Sequence, residues 1–197
     1  MPDTASNLGT LDRTVAVPAL LGDLSDFLIV TGLAGTAKDI AAIAKEAPNV
    51  YYLAGAMGAA VTMGLGLALA QPERKVLVIT GDGELLMNVG ALATVAVRNP
   101  SNLAIVCVDN GRYGETGYQP SHTSLGTDLA VMAAGAGIAT TRTVAGEEEI
   151  AEAASVLRQS NGASFVLLKV SEKEPPRFRR SLDGVRNKVL FREALLG

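Results

Sequence analysis

The sequence predicts an α/β fold, a doubly wound and mostly parallel sheet with helices on both faces, and three observations carry that expectation. Short apolar runs alternate along the chain with longer runs of helical periodicity, the pattern of successive βαβ units. The apolar runs, among them Val76-Leu77-Val78-Ile79 and Ile105-Val106-Cys107-Val108, lack the alternation of a half-solvated strand, as burial on both faces requires. Finally, 48% of residues are hydrophobic but only 4% aromatic, so the core is built from Ala, Val, Leu and Ile between packed layers.

Strands are expected at residues 27–31, 51–53, 75–80, 103–109, 138–143 and 165–170, and helices at 36–46, 57–70, 84–98, 127–134 and 147–159. The first strand closes in Thr31-Gly32-Leu33-Ala34-Gly35-Thr36, a βα turn whose amides could also serve as donors to an anion. Gln71-Pro72-Glu73-Arg74 and Asn99-Pro100-Ser101-Asn102 stop helices and lead into the next strands. Glu147-Glu148-Glu149 places acidic residues at a helix start, where they complement the dipole, so this run reads as a cap and solvated face. Gly64-Leu65-Gly66 lies inside a helical run and reads as close helix packing, because a dinucleotide fingerprint would sit at a strand-to-helix turn. Residues 1–170 form one expected domain. Residues 171–197, with Pro175-Pro176, Arg177, Arg179 and Arg180 and a short closing helical pattern, form a C-terminal arm, packed on another subunit or solvated.

At 197 residues the chain is expected to be a single domain with a real core. Seventeen basic against twenty acidic residues give a net charge of −3, with no basic concentration before Arg177, which argues against nucleic acid as a partner. No apolar run reaches the roughly 18 residues of a membrane span and no secretory pattern opens the chain, so no membrane partner and a cytoplasmic location are expected. The one cysteine, Cys107, falls inside an apolar strand and reads as a reduced core residue.

The chemistry concentrates in two turns. Gly81-Asp82-Gly83-Glu84 follows one buried strand and Asp109-Asn110-Gly111 follows the next, with Asn110 28 residues after Asp82. Each turn delivers an oxygen ligand to the carboxyl end of neighbouring parallel strands, where a hard cation and a diphosphate can be held together. Gly81 and Gly83 let the backbone turn sharply and approach phosphates, and the following helix aims its N-terminus at them. Such a triplet alone also makes ordinary turns; it is the paired Asn110 that gives the pattern its weight.

This pair of turns resembles the thiamine diphosphate motif of 2-oxo acid decarboxylases, and from about Leu11 onward, including Ala54-Gly55-Ala56-Met57-Gly58 and residues 103–117, the chain is similar to sulfopyruvate decarboxylase β subunits and the C-terminal half of phosphonopyruvate decarboxylases. The family pattern usually ends Asn-Asn where this chain has Asp109-Asn110. The resemblance implies thiamine diphosphate and Mg²⁺ as cofactors on the thiamine diphosphate-binding fold. It implies Asp82, Asn110 and the main-chain carbonyl of Arg112 as metal ligands, and Gly55, Met57, Gly81, Gly83, Glu84 and Asn110 as cofactor-binding positions. Met57 would be the apolar wedge that bends the cofactor, a place a flexible thioether suits.

The family's activating glutamate comes from a separate pyrimidine-binding domain, which a chain of this length is not expected to contain. The resemblance therefore implies an α subunit that supplies this glutamate within an αβ hetero-oligomer. The implied reaction is decarboxylation of a sulfopyruvate- or phosphonopyruvate-like 2-oxo acid to an aldehyde; a carboligase of acetolactate synthase type and a non-catalytic cofactor-binding subunit are the alternatives. Residues 112–122 form a polar, glycine-containing loop of the kind that moves at active sites. Relatives tend to read Thr-Gly-Gly-Gln where this loop has Thr116-Gly117-Tyr118-Gln119, a change that would reshape the pocket. His122 is the sole histidine, and is either a proton donor in catalysis or a loop residue with no catalytic role.

Overall fold

Strands that are apolar on both sides cannot leave either face of their sheet to water, and the chain covers both. The computed structural model describes residues 8–53, 55–178 and 183–196; Ala54, Arg179 and Arg180, noted in the sequence, lie outside them. In chain order the strands are β1 (Phe27–Thr31), β2 (Val50–Tyr52), β3 (Lys75–Gly81), β4 (Leu103–Asp109), β5 (Arg112–Tyr113), β6 (Gln119–Pro120), β7 (Thr140–Val144) and β8 (Ser164–Lys169). Six of them form one parallel sheet in the order β2-β1-β3-β4-β8-β7, while β5 and β6 pair antiparallel in a small hairpin.

The helices are α1 (Arg13–Leu21), α2 (Gly35–Ala44), α3 (Ala60–Ala70), α4 (Asp82–Leu86), α5 (Ala91–Arg98), α6 (Leu129–Gly135), α7 (Ile150–Val156) and α8 (Gly184–Leu196). Alternate residues of β1, β3, β4 and β8 enter two separate cores. Ile29, Ile79, Val106 and Leu168 pack with Leu20, Ile40 and Ala153 of α1, α2 and α7. Val30, Val78, Ile105 and Leu167 pack on the other side with Val61, Leu92, Leu129 and Phe191 of α3, α5, α6 and α8. A doubly wound, all-parallel main sheet with helices on both faces is thus observed, as the composition and strand patterns predict.

Strand order reverses between β1 and β3: the chain leaves β1 for β2 on one side, then crosses back to β3 on the other. Connections diverge at such a switch point and leave a crevice at the carboxyl ends of the strands. Both motif turns open at that end of the sheet.

The structure corrects several sequence-level expectations. α1 was not expected; Pro18 lies within it, and its start is fixed by Asp12, whose carboxylate accepts from Thr14 N at 2.9 Å. The single helix expected over 84–98 breaks into α4 and α5, with Gly90 capping the second piece and Asn88 turned away to donate to the Gly58 carbonyl at 3.2 Å. Glu147–Glu149 form a 3₁₀ turn before α7. There the Glu149 carboxylate accepts from Ala145 N and Gly146 N at 2.7 and 2.9 Å, which holds its pKa below the usual range.

Beyond β8 the chain runs beside the N-terminal segment, with Ser171 N donating to Leu11 O at 2.9 Å. α8 then seats Phe191 edge-on against Tyr51, 5.5 Å between centroids. No described helix is long and apolar enough to cross a membrane.

Candidate functional site

A cavity of about 610 Å³ opens at the carboxyl end of the sheet. Its wall draws on six segments: the start of α1 at Arg13, the β1–α2 turn, the loop holding Met57, the β3–α4 turn, the β4–β5 turn with the hairpin loop, and a strap formed by residues 174–178. Four of these were flagged in the sequence as chemical or structural punctuation. The strap falls within the C-terminal arm that the sequence predicts.

Asp82 is 2% exposed at the start of α4, held there because β3 runs out at Gly81. Its Oδ2 accepts from the Ser121 hydroxyl and, at 3.2 Å, from the Thr123 hydroxyl. Burial, and secondly the charge of Asp109, push its pKa up to about 6. Asn110 lines the same cavity one strand over, its Oδ1 accepting from Arg112 N at 3.3 Å. Asp109, beside it, accepts from Thr123 Oγ1 at 2.7 Å and from Gly111 N at 3.0 Å, and pairs with Lys169 at 3.1 Å. Lys169 is the direct cross-strand neighbour of Asp109 in the β4–β8 register.

Glu84 is also buried, and burial raises its pKa. Its Oε2 accepts from the Thr80 hydroxyl at 3.1 Å, while Oε1 has no hydrogen-bond partner among the described residues. The carboxyl group occupies the space that a Cβ on Gly32 would need, so glycine at the end of β1 is a condition for this placement. Gly83 is constrained likewise: a Cβ there would collide with the Tyr113 ring.

Met57, 43% exposed, contributes to the cavity wall, as do Gly81 and Gly83; Gly55, exposed and at φ +84°, does not. His122 is exposed outside the cavity lining, its Nδ1 3.4 Å from the hydroxyl of Tyr113, whose ring does line it. Arg112, whose carbonyl was singled out, directs its guanidinium to Glu172, with Nε at 3.0 Å from Oε1. Tyr118 takes φ +64°, a left-handed conformation costly for a side chain, and its hydroxyl donates to the carbonyl of Glu172. The loop is thereby clasped at one residue, Glu172, just ahead of the strap.

Several contributors carried no signal in the sequence. Ser121 and Thr123 reach Asp82 only because the hairpin folds back, and Lys169 reaches Asp109 only through strand register. Arg13 is buried against Asp39, with Nε 3.0 Å from Oδ1, tying α1 to α2 at the cavity rim. Burial raises the Asp39 pKa even though the guanidinium opposes it.

Chemically, the crevice offers the carboxylate of Asp82 and the side-chain amide oxygen of Asn110 from neighbouring turns. These are hard oxygen donors of the sort Mg²⁺ takes together with phosphate oxygens and water. Asp82 carries a buried carboxylate with no ion-pair partner among the described residues, so the donor set fits a cation.

Comparison with known proteins agrees with this geometry. Residues 34–168 match the model of the thiamine pyrophosphate enzyme C-terminal TPP-binding domain. The chain is 41% identical over 123 residues to sulfopyruvate decarboxylase subunit beta of Methanothermobacter thermautotrophicus, an alignment covering 62% of this chain and 65% of that subunit. It is 33% identical over 158 residues to phosphonopyruvate decarboxylase of Streptomyces viridochromogenes, covering 80% of this chain but 39% of the relative. The aligned stretch thus spans under two thirds of either relative's length. A solved structure of benzoylformate decarboxylase from Polynucleobacter necessarius superposes with a TM-score of 0.67 at 18% identity, over 84% of this chain and 34% of that one, a likeness of fold.

Proposed function

The chain belongs to the thiamine pyrophosphate enzymes, as their C-terminal TPP-binding domain, and on that premise we propose that it is the diphosphate-binding subunit of a two-subunit 2-oxo acid decarboxylase. The observation that carries the reading is the convergence of Asp82, Asn110 and Met57 from three separate connections on one cavity at the switch-point end of the sheet. In this reading Asp82, Asn110 and the Arg112 carbonyl would hold Mg²⁺ beside the diphosphate. Gly81 and Gly83 would let the backbone approach the cofactor, and Met57 would pack against it. Thiamine diphosphate, when bound, supplies a thiazolium that accepts the electron pair left as the bond to carbon dioxide breaks.

The chain's own residues bind and orient. Ser121 and Thr123 aim the Asp82 carboxylate, and Glu84 fixes the β1 and β3 ends against each other from its glycine-lined niche. The acid that activates the aminopyrimidine is assigned to a partner α subunit, and the assembly to the cytoplasm. Substrates of this reading are 2-oxo acids like those named by the relatives, sulfopyruvate and phosphonopyruvate, each giving CO₂ and an aldehyde.

The test is CO₂ release from a panel of 2-oxo acids with Mg²⁺ and thiamine diphosphate, comparing the chain alone with the chain co-purified with its α partner. Activity confined to the pair supports a split decarboxylase. Activity from the chain alone would mean that a glutamate of this chain activates the cofactor, and the two-subunit reading fails.

A further inference from the structure

Four cationic side chains line the cavity: Arg13, Lys38, Arg112 and Arg177. Three are already committed. Arg13 is spent on Asp39, Lys38 pairs with Glu115 at 3.1 Å, and Arg112 is held by Glu172. Arg177 alone forms no ion pair among the described residues, including with Glu174, which lines the same cavity three positions earlier. A guanidinium left unmatched in the wall of a concave site is a receptor for an anion brought by a ligand, and its planar fork suits a tetrahedral oxyanion better than an ammonium does.

The strap that carries Arg177 is not a loose tail. Glu172 is clasped from the hairpin loop by both Arg112 and the Tyr118 hydroxyl, and Lys173 pairs with Asp12. Pro175-Pro176 then stiffens the chain just before Arg177, since each proline fixes its φ. The strained Tyr118 therefore has a consequence at the cavity: it helps hold the segment that presents the free guanidinium.

The diphosphate end of the cofactor has its own partners in the Asp82 and Asn110 turns. The carboxylate of a 2-oxo acid leaves as CO₂. What persists from substrate to product in a 3-sulfo or 3-phosphono acid is the distal acidic group, which needs a counter-charge on entering a partly buried cavity. The geometry points to Arg177 as the residue that reads this distal anion, making it a specificity-determining contact for 2-oxo acids with a second acidic group; the inference rests on the decarboxylase reading above.

Arg177 is exposed, so Arg177→Gln and Arg177→Lys should fold as the parent does. In the αβ complex loaded with Mg²⁺ and thiamine diphosphate, Arg177→Gln should raise the KM for sulfopyruvate roughly 10- to 100-fold, as loss of a charged hydrogen bond does. The same variant should leave the KM for pyruvate and the Kd for thiamine diphosphate unchanged, and Arg177→Lys should recover part of the loss. An unchanged ratio of sulfopyruvate to pyruvate kcat/KM in Arg177→Gln overturns the assignment, as does a fall in thiamine diphosphate affinity, which would place Arg177 on the cofactor. A parent complex that releases CO₂ from no 2-oxo acid refutes the decarboxylase reading itself, and is told apart because the failure precedes any substitution.

Discussion

Two aspartates stand at the ends of neighbouring strands, Asp82 just after β3 and Asp109 closing β4, each 2% exposed, yet their surroundings differ in kind. Asp109 has a cation supplied by the fold, Lys169 at 3.1 Å, together with a backbone amide and a hydroxyl. Asp82 has two hydroxyls and, among the described residues, no ion-pair partner, and its pKa rises to about 6 through burial and the nearby charge of Asp109. A buried carboxylate without a counter-charge is costly, and a bound cation, as proposed above, would offset that cost. Asp109 is tied into the scaffold by its lysine, whereas Asp82 is the carboxylate that the proposed function assigns to a metal. The contrast also accounts for the departure from the family's Asn-Asn pattern, because an aspartate at 109 is matched here by a lysine directly across the sheet.

That contrast can be broken from either side. Lys169→Met strands Asp109 as an unpaired buried charge and should lower stability by about 3 kcal/mol in urea unfolding, while adding Asp109→Asn should return most of the loss. A neutral Lys169→Met would show that the pair is not structural. Next in size, Ser121→Ala removes one of the hydroxyls that orient Asp82. It should weaken Mg²⁺-dependent binding of thiamine diphosphate roughly 10-fold or more, read by calorimetry, with little change in melting temperature. An effect on melting without one on binding would move Ser121 from the metal turn to the scaffold. The smallest effect belongs to Lys38→Ala at the exposed Lys38–Glu115 pair, expected to change unfolding free energy by less than about 0.5 kcal/mol. A larger loss would show that the rim is braced by that pair.

The scaffold was legible in the sequence where physics is local. Strands buried on both faces announce themselves as unbroken apolar runs, and β1 and β4 fall where the sequence places them. α1 was hidden because Pro18 interrupts its periodicity, and the break between α4 and α5 because Asn88 is drawn to a carbonyl 30 residues away. At the site, the meeting of Asp82 and Asn110 in one cavity was legible because the motif spans one βα unit and both residues come from the ends of adjacent strands. Their supports were not: Thr123 bridges Asp82 and Asp109, Lys169 arrives by register from β8, and the strap reaches the cavity from beyond β8. Those contacts join segments far apart in the chain, and no local pattern encodes them.

The most direct test titrates thiamine diphosphate, in the presence of Mg²⁺, into the parent chain, Asp82→Ala and Asp109→Asn. Asp82→Ala should bind no cofactor measurably while remaining folded, and Asp109→Asn should bind within a few-fold of the parent, as Asp109 neighbours the proposed ligand Asn110 without being one. Parent-like binding by Asp82→Ala would contradict the account, because the carboxylate left without a cation would then not be the one that holds the metal.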